Sequence, residues 1–174
     1  MLELHENEQY FFAPETVKHL ADFAAQWERP CCLCAPLVGA ELEKRGIEAI
    51  TLDCDERFSH LKSYRHFDLF RPQWQGEEFG LIICDPPFFK VSLAQLFNAI
   101  RVLSRYDFKQ PLLMCYLTRR ATNLCGTFTP FNLEATGYHP TYQTVRNLER
   151  NEIEFFGNLG EEWHNRMRDR DNGI

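Results

Sequence analysis

Phe79 to Cys84 runs apolar without alternation. A strand with one face in water alternates, so a continuous run of this length predicts a strand buried on both faces, as in parallel sheets. The run stops at Asp85-Pro86-Pro87-Phe88. Two prolines fix φ twice and remove two backbone donors, so the strand cannot continue. Other segments read the same way. Cys31 to Ala35, Ile47 to Leu52 and Leu112 to Leu117 are short buried strands. Between them lie helical patterns. Pro14-Glu15-Thr16 opens one, with proline at a first helical position and an acid at the positive helix start. Leu37 to Arg45 is a second, stopped by Gly46. Ser92 caps a third, which carries Leu93, Leu96, Phe97, Ile100 and Leu103 on one face.

Strand–helix alternation predicts an α/β fold: a Rossmann-like open sheet, mostly parallel. After Gly137 the texture changes. Tyr142 to Arg146 and Ile153 to Phe156 read as two strands joined by the polar turn Asn147 to Asn151, a C-terminal antiparallel hairpin. With 174 residues there is room for one full core and little more. Residues 1–160 are expected to form that single domain, and residues 161–174 a polar tail that is a ragged helix or frayed end.

In open α/β sheets, ligands bind beyond the carboxyl ends of the strands. The chemistry is therefore expected at Cys34-Ala35-Pro36, at Asp53 and Asp55, and at Asp85 to Phe88. The last stretch gathers a carboxylate, a rigid carbonyl and an aromatic ring in four residues. It can accept two hydrogen bonds from an amino group while the ring lies against a flat partner. That suits an exocyclic amine or a lysine amine held for attack on an electrophile. The alternative is a proline turn with a helix-capping Asp and a core Phe. Asp53 stands where dinucleotide folds bind ribose; it and Asp55 could equally be loop acids or caps for the turn around Arg57. Gln9-Tyr10-Phe11-Phe12 could lid a pocket, or staple the first helix to the sheet.

Several classes are excluded. The first strand ends in Cys34-Ala35-Pro36-Leu37-Val38-Gly39, without G-x-G-x-x-G, which argues against a pyrophosphate cradle. No Walker loop or Gly-x-Ser-x-Gly elbow is present. Cys31-Cys32-x-Cys34 falls within a strand, where alternate residues face opposite sides, and no second cysteine or histidine pair complements it, so no metal site is expected. Seven cysteines, an odd number in apolar segments, suggest reduced thiols and a cytoplasmic protein. The N-terminus is acidic where a secretory signal would be basic and then greasy. No apolar run approaches a membrane span. The formal net charge is −6, but it is uneven. Residues 1–87 hold 8 basic and 16 acidic side chains, residues 88–150 hold 8 and 3, and residues 151–174 hold 3 and 6. The middle stretch is thus locally +5, from Arg101, Arg105, Lys109, Arg119 and Arg120 among others.

The order of these pieces resembles the N6-adenine methyltransferase-like family of S-adenosylmethionine-dependent methyltransferases. Asp85-Pro86-Pro87-Phe88 resembles the [Asp/Asn]-Pro-Pro-[Tyr/Phe/Trp] motif of amino methyltransferases. Gln9 to Phe12 with Pro14-Glu15-Thr16 looks like that family's N-terminal signature. Leu33 to Pro36 looks like its first strand, with a proline turn in place of glycines. Leu52-Asp53-Cys54-Asp55-Glu56-Arg57-Phe58 resembles its Leu-Asp-x-Asp-x-Arg-Phe segment, and Phe67 to Phe70 and Ile153 to Asn158 match later stretches. The similarity spans roughly residues 9–158.

The resemblance implies a class I methyltransferase fold and S-adenosyl-L-methionine as cofactor, with no metal. Asp85 and the Pro86 carbonyl would hold the target amine, Pro87 would complete the rigid turn, and Phe88 would wall the target. Asp53 and Asp55 would bind the cofactor ribose. Asp68 and Leu69 would meet its adenine, and Cys34, Ala35 and Pro36 would line the methionine side. Gln9 and Tyr10 would close the pocket. The expected reaction is methyl transfer to adenine N6 in RNA or DNA. The family also contains enzymes that methylate a lysine of an elongation factor, so a protein substrate is the alternative, and a non-catalytic cofactor-binding scaffold a further one. Phe88 matches the RNA-directed branch, where the lysine-directed members carry Tyr. The 174 residues show no counterpart of the zinc-finger modules of the RNA-directed relatives, so modest affinity for a large RNA, or help from a partner, is expected.

Overall fold

The computed structural model describes residues 1–145 and 152–169. Its strands are β1 (Cys31–Leu33), β2 (Ile50–Asp53), β3 (Tyr64–His66), β4 (Ile82–Cys84), β5 (Leu112–Leu117), β6 (Glu134–Ala135) and β7 (Ile153–Gly157). They form one sheet in the order β3-β2-β1-β4-β5-β7-β6. The first five pair in parallel. β7 is antiparallel to both β5 and β6, so among the named strands it alone runs against the rest. The five helices are α1 (Pro14–Ala24), α2 (Pro36–Lys44), α3 (Leu93–Leu103), α4 (Ala121–Thr127) and α5 (Glu161–Arg168).

Residue parity along the strands divides the core. Cys31 and Leu33 of β1, Ile82 and Cys84 of β4, and Leu112, Met114 and Tyr116 of β5 face α3 and α4. Cys32, Leu81, Ile83, Leu113 and Cys115 face α1, α2 and α5. Both faces of the central strands are covered, as their unbroken apolar runs require. Adjacent Cys31 and Cys32 therefore sit in different halves of the core. Local signals account for the helices. Proline occupies the first turn of α1 and of α2. Ser92 and Gln95 form a complete capping box at the start of α3. Gly39 lets α2 lie against β2, where an added Cβ would meet Thr51 Oγ1 at 2.0 Å.

Two expectations for the C-terminal part need correction. The antiparallel edge is present, but its first arm is not Tyr142 to Arg146. β7 takes β5 on one side and Glu134–Ala135 on the other, while Tyr142 makes a single antiparallel bridge to Phe12. The longest available partner is β5, with five paired residues, and pairing there also buries β7 on both faces. Arg146 and the expected turn at 147–151 lie outside the described residues. The polar segment after Gly160 contributes to the core. α5 buries Met167 completely, and its Trp163 packs on Phe23 and Trp27 at ring-centroid distances of 5.7 and 4.7 Å. Among the described residues, no helix is long and apolar enough to cross a membrane.

Candidate active site

At the carboxyl ends of β1 to β4 lies a cleft of about 570 Å³. The chain order reverses there: from β1 it passes outward to β2 and β3, then returns to β4 on the other side of β1. This is where doubly wound sheets open a crevice. Cys34 and Pro36 from β1, Asp53 to Glu56 from β2, Phe67 to Phe70 from β3 and Asp85 to Val91 from β4 line the cleft, with Leu4, Asn7 to Tyr10 and Tyr142 above. Of the thirteen site residues expected from sequence, twelve line it. Ala35 does not; it is buried in the core half beside α1 and α2, because the turn after β1 aims Cys34 and Pro36 one way and Ala35 the other. Cys34 makes that turn in the left-handed region, φ 54°.

Six of the lining residues are acidic, Glu8, Asp53, Asp55, Glu56, Asp68 and Asp85, and one, Lys90, is basic. The acids are not equivalent. Asp55 accepts hydrogen bonds from Arg57 Nη2 at 2.7 Å and from Gln9 Nε2 at 2.7 Å. The Arg57 contact above all holds its carboxyl down at about 2. Asp53 is buried at the end of β2, and burial, helped by the Asp55 charge, pushes its carboxyl up to about 6, against the backbone amide of Asp55 that it accepts at 2.8 Å. Asp68 caps its own turn, accepting the Phe70 amide at 2.8 Å.

Asp85 sits at the base of the cleft. Burial raises its carboxyl to about 7, and the hydroxyl of Tyr142, donating to Oδ1 at 2.9 Å, works against that rise. Tyr142 also lies 3.3 Å from Cys115 Sγ. One carboxylate oxygen of Asp85 is thus engaged by Tyr142. Phe88, two residues beyond Pro86, stands edge-on to Tyr116 at 5.5 Å. Arg120 donates to the Tyr116 hydroxyl at 2.9 Å and to the Phe88 carbonyl at 3.3 Å.

The first ten residues form a strap over the cleft. Arg57 donates to the Leu2 carbonyl and to Gln9 Oε1, both at 2.8 Å. On the far side, Glu8 accepts the amides of Phe89 and Lys90 at 3.1 and 3.0 Å, and Lys90 Nζ donates to the Glu6 carbonyl. Glu8 turns the strap in a left-handed conformation, φ 54°. Tyr10 stacks on His5 at 4.8 Å. Sequence reasoning found Gln9 and Tyr10 but missed Glu8, Arg57, Phe89 and Tyr142. Glu8 and Tyr142 have no local signal, because their partners are about 80 and 57 residues away.

The profile of the family described as "Probable N6-adenine methyltransferase" matches residues 3–161. The chain belongs to that family. Two solved structures share the fold. One is a TehB-like S-adenosylmethionine-dependent methyltransferase from Corynebacterium glutamicum, with a TM-score of 0.54 at 14% identity, covering 82% of this chain and 85% of that one. The other is a candidate RNA methyltransferase from Pyrococcus horikoshii, with a TM-score of 0.55 at 14% identity, covering 90% and 88%. No curated protein matches the chain. Family and fold together imply S-adenosylmethionine as the cofactor of this methyltransferase. The cleft suits it: an acid-rich lining repels phosphate and attracts a sulfonium cation, and the volume is that of a small-molecule site.

Proposed function

We propose that this methyltransferase acts on the exocyclic amine of adenine in RNA or DNA. The observation that carries the reading is the placement of Asp85, a carboxylate at the base of an acid-lined cleft, with one oxygen tethered by Tyr142 and an aromatic wall at Phe88. The family's description supports adenine N6 as the acceptor.

S-adenosylmethionine, when bound, supplies an electrophilic methyl group on sulfur. The protein's task is then to hold a weak nucleophile in line. In the proposed arrangement, the Asp85 carboxylate and the Pro86 carbonyl accept the two N–H bonds of the target amine and turn its lone pair into the cleft. Pro86 and Pro87 keep those acceptors fixed, so little entropy is lost as the reactants align. Phe88 lies against the flat ring that bears the amine. The nitrogen would gain the methyl group as its bond to sulfur breaks, the electron pair staying on sulfur, and would lose one proton. Asp85, with its carboxyl near 7, is matched to accept that proton at neutral pH and pass it to water. On the other side, Asp53 and Asp55 would hold the ribose hydroxyls, Asp68 and Leu69 the adenine, and Cys34 and Pro36 the methionine end. Gln9 and Tyr10 would close the cleft.

The test is transfer of labelled methyl from S-adenosylmethionine into lysate lacking the endogenous enzyme, separated into RNA, DNA and protein. The expected result is label in RNA or DNA, reduced at least about 100-fold by Asp85→Ala, with cofactor affinity within a few-fold. Label confined to a protein band would overturn the adenine assignment. Unchanged turnover in the variant would overturn the role of Asp85.

A further inference from the structure

Away from the cleft, one flank gathers arginines without carboxylate partners beside exposed rings. Arg29, Arg45, Arg57, Arg65 and Arg166 each pair with a carboxylate. Arg71, Arg101 and Arg105 have no ion pair among the described residues. The surroundings of Arg101 and Arg105 are aromatic instead. The Arg105 guanidinium carbon lies 4.5 Å from the centre of the Trp74 ring, and that of Arg101 lies 5.4 Å from Tyr106. Arg101 Nε donates only to the neutral Asn98 side chain, at 2.9 Å. Glu77, three residues beyond Trp74, is taken by Arg65 at 2.7 Å, and Asp107, next to Tyr106, accepts the Lys109 amide at 3.0 Å.

Both rings stand in solvent: Trp74 is 45% exposed and Tyr106 60%. Burying such rings in the core would stabilise the fold, so leaving them out has no structural return. The backbone also departs from the ordinary. Arg105 and Tyr106 are consecutive residues in the left-handed region, φ 50° and 62°, which residues with side chains disfavour. The turn they make places both side chains beside Trp74 and Arg101.

The chain links this flank to the cleft by a short segment. Trp74 is four residues from Phe70, which lines the cleft and is 56% exposed. Four residues reach at most about 14 Å. Along the chain Arg71 stands between Phe70 and Trp74, Trp74 meets Arg105, and Tyr106 beside it meets Arg101.

We propose that this flank binds the single-stranded segment of nucleic acid that leads to the acceptor base. Exposed rings offer stacking faces that any base can use, and unpaired guanidinium groups offer donors for phosphate. A single strand presents both bases and phosphates; a duplex hides its base faces. An acidic peptide would use the arginines and leave the rings idle. The proposal rests on the nucleic-acid reading of the acceptor.

The test uses the full chain and a labelled oligouridylate of about 12 nucleotides, within the range that single-strand sites occupy. It contains no adenine, so it probes the flank and not the acceptor site. Fluorescence anisotropy should show binding that weakens with salt. Trp74→Ala should weaken it at least about fivefold, and Trp74→Phe should retain most of it. Arg105→Gln should lower the slope against log salt by about one. Arg166→Gln, on α5 of the opposite face, should bind as the parent does. Circular dichroism checks that each variant is folded. Absence of binding at low salt, a folded Trp74→Ala that binds normally, or equal competition by polyglutamate would each overturn the proposal. Binding without adenine methylation in lysate would keep the flank and remove the acceptor assignment. Adenine methylation without binding would do the reverse.

Discussion

Asp85 and Tyr142 set two opposed requirements on one carboxyl group. Burial raises its pKa to about 7, and the Tyr142 hydroxyl holds it from rising further. If the carboxylate is the form that receives the amine, kcat/KM should increase with pH and level off above about 7. Tyr142→Phe removes the donor, so the acid limb should move to higher pH and transfer at neutral pH should fall; a pH–rate profile of the two proteins checks this. Stability runs the other way. A carboxyl raised from its ordinary 3.8 holds its proton in the native state over a range where the unfolded chain has lost it. That contribution is complete below the unfolded pKa and is lost as pH rises through the folded one. Asp85→Asn should therefore melt above the parent at about pH 8, and the gap should close toward about pH 4. Asp85 was legible because strand, proline pair and aromatic ring are adjacent in sequence. Tyr142 was not: its role depends on the bridge to Phe12.

Elements were legible where the signal is local. Proline at helix starts, the capping box of α3 and unbroken apolar strands locate α1, α2, α3, β1, β4 and β5 without tertiary information. β3 escaped notice, since Tyr64–His66 is short and only partly buried and is fixed by pairing with β2. The strap makes no regular element at all beyond the short 3-10 turn His5–Asn7. Its hold on the cleft is a set of hydrogen bonds, so Glu8→Ala should raise hydrogen exchange at the Phe89 and Lys90 amides and in the strap itself, with the sheet unaffected. Packing of α2 on β2 sets a different limit. Gly39→Val places branched carbon atoms where Thr51 already stands, and Thr51 is fully buried and hydrogen-bonded to Ser63. Overpacking of this kind costs about 1–3 kcal/mol, readable as a lower denaturation midpoint.

Seen whole, the molecule concentrates acid in the cleft, with six acidic and one basic lining residue. The locally basic stretch of the sequence divides in space: Arg119 and Arg120 lie near the cleft, with Arg119 6.0 Å from the Phe89 ring, whereas Arg101 and Arg105 lie on the flank. Linear charge could not show that division. Nor could it show that the polar C-terminal segment helps close the core. Met167 is fully enclosed among α1-side residues, so Met167→Ala should cost about 2–5 kcal/mol, measured by chemical denaturation. The start of the chain has a practical bearing on experiments. The Leu2 carbonyl is one hydrogen bond from Arg57, over the mouth of the cleft, and Leu2 itself is exposed. Bulk attached at the Leu2 side chain would therefore stand at the entrance to the cleft.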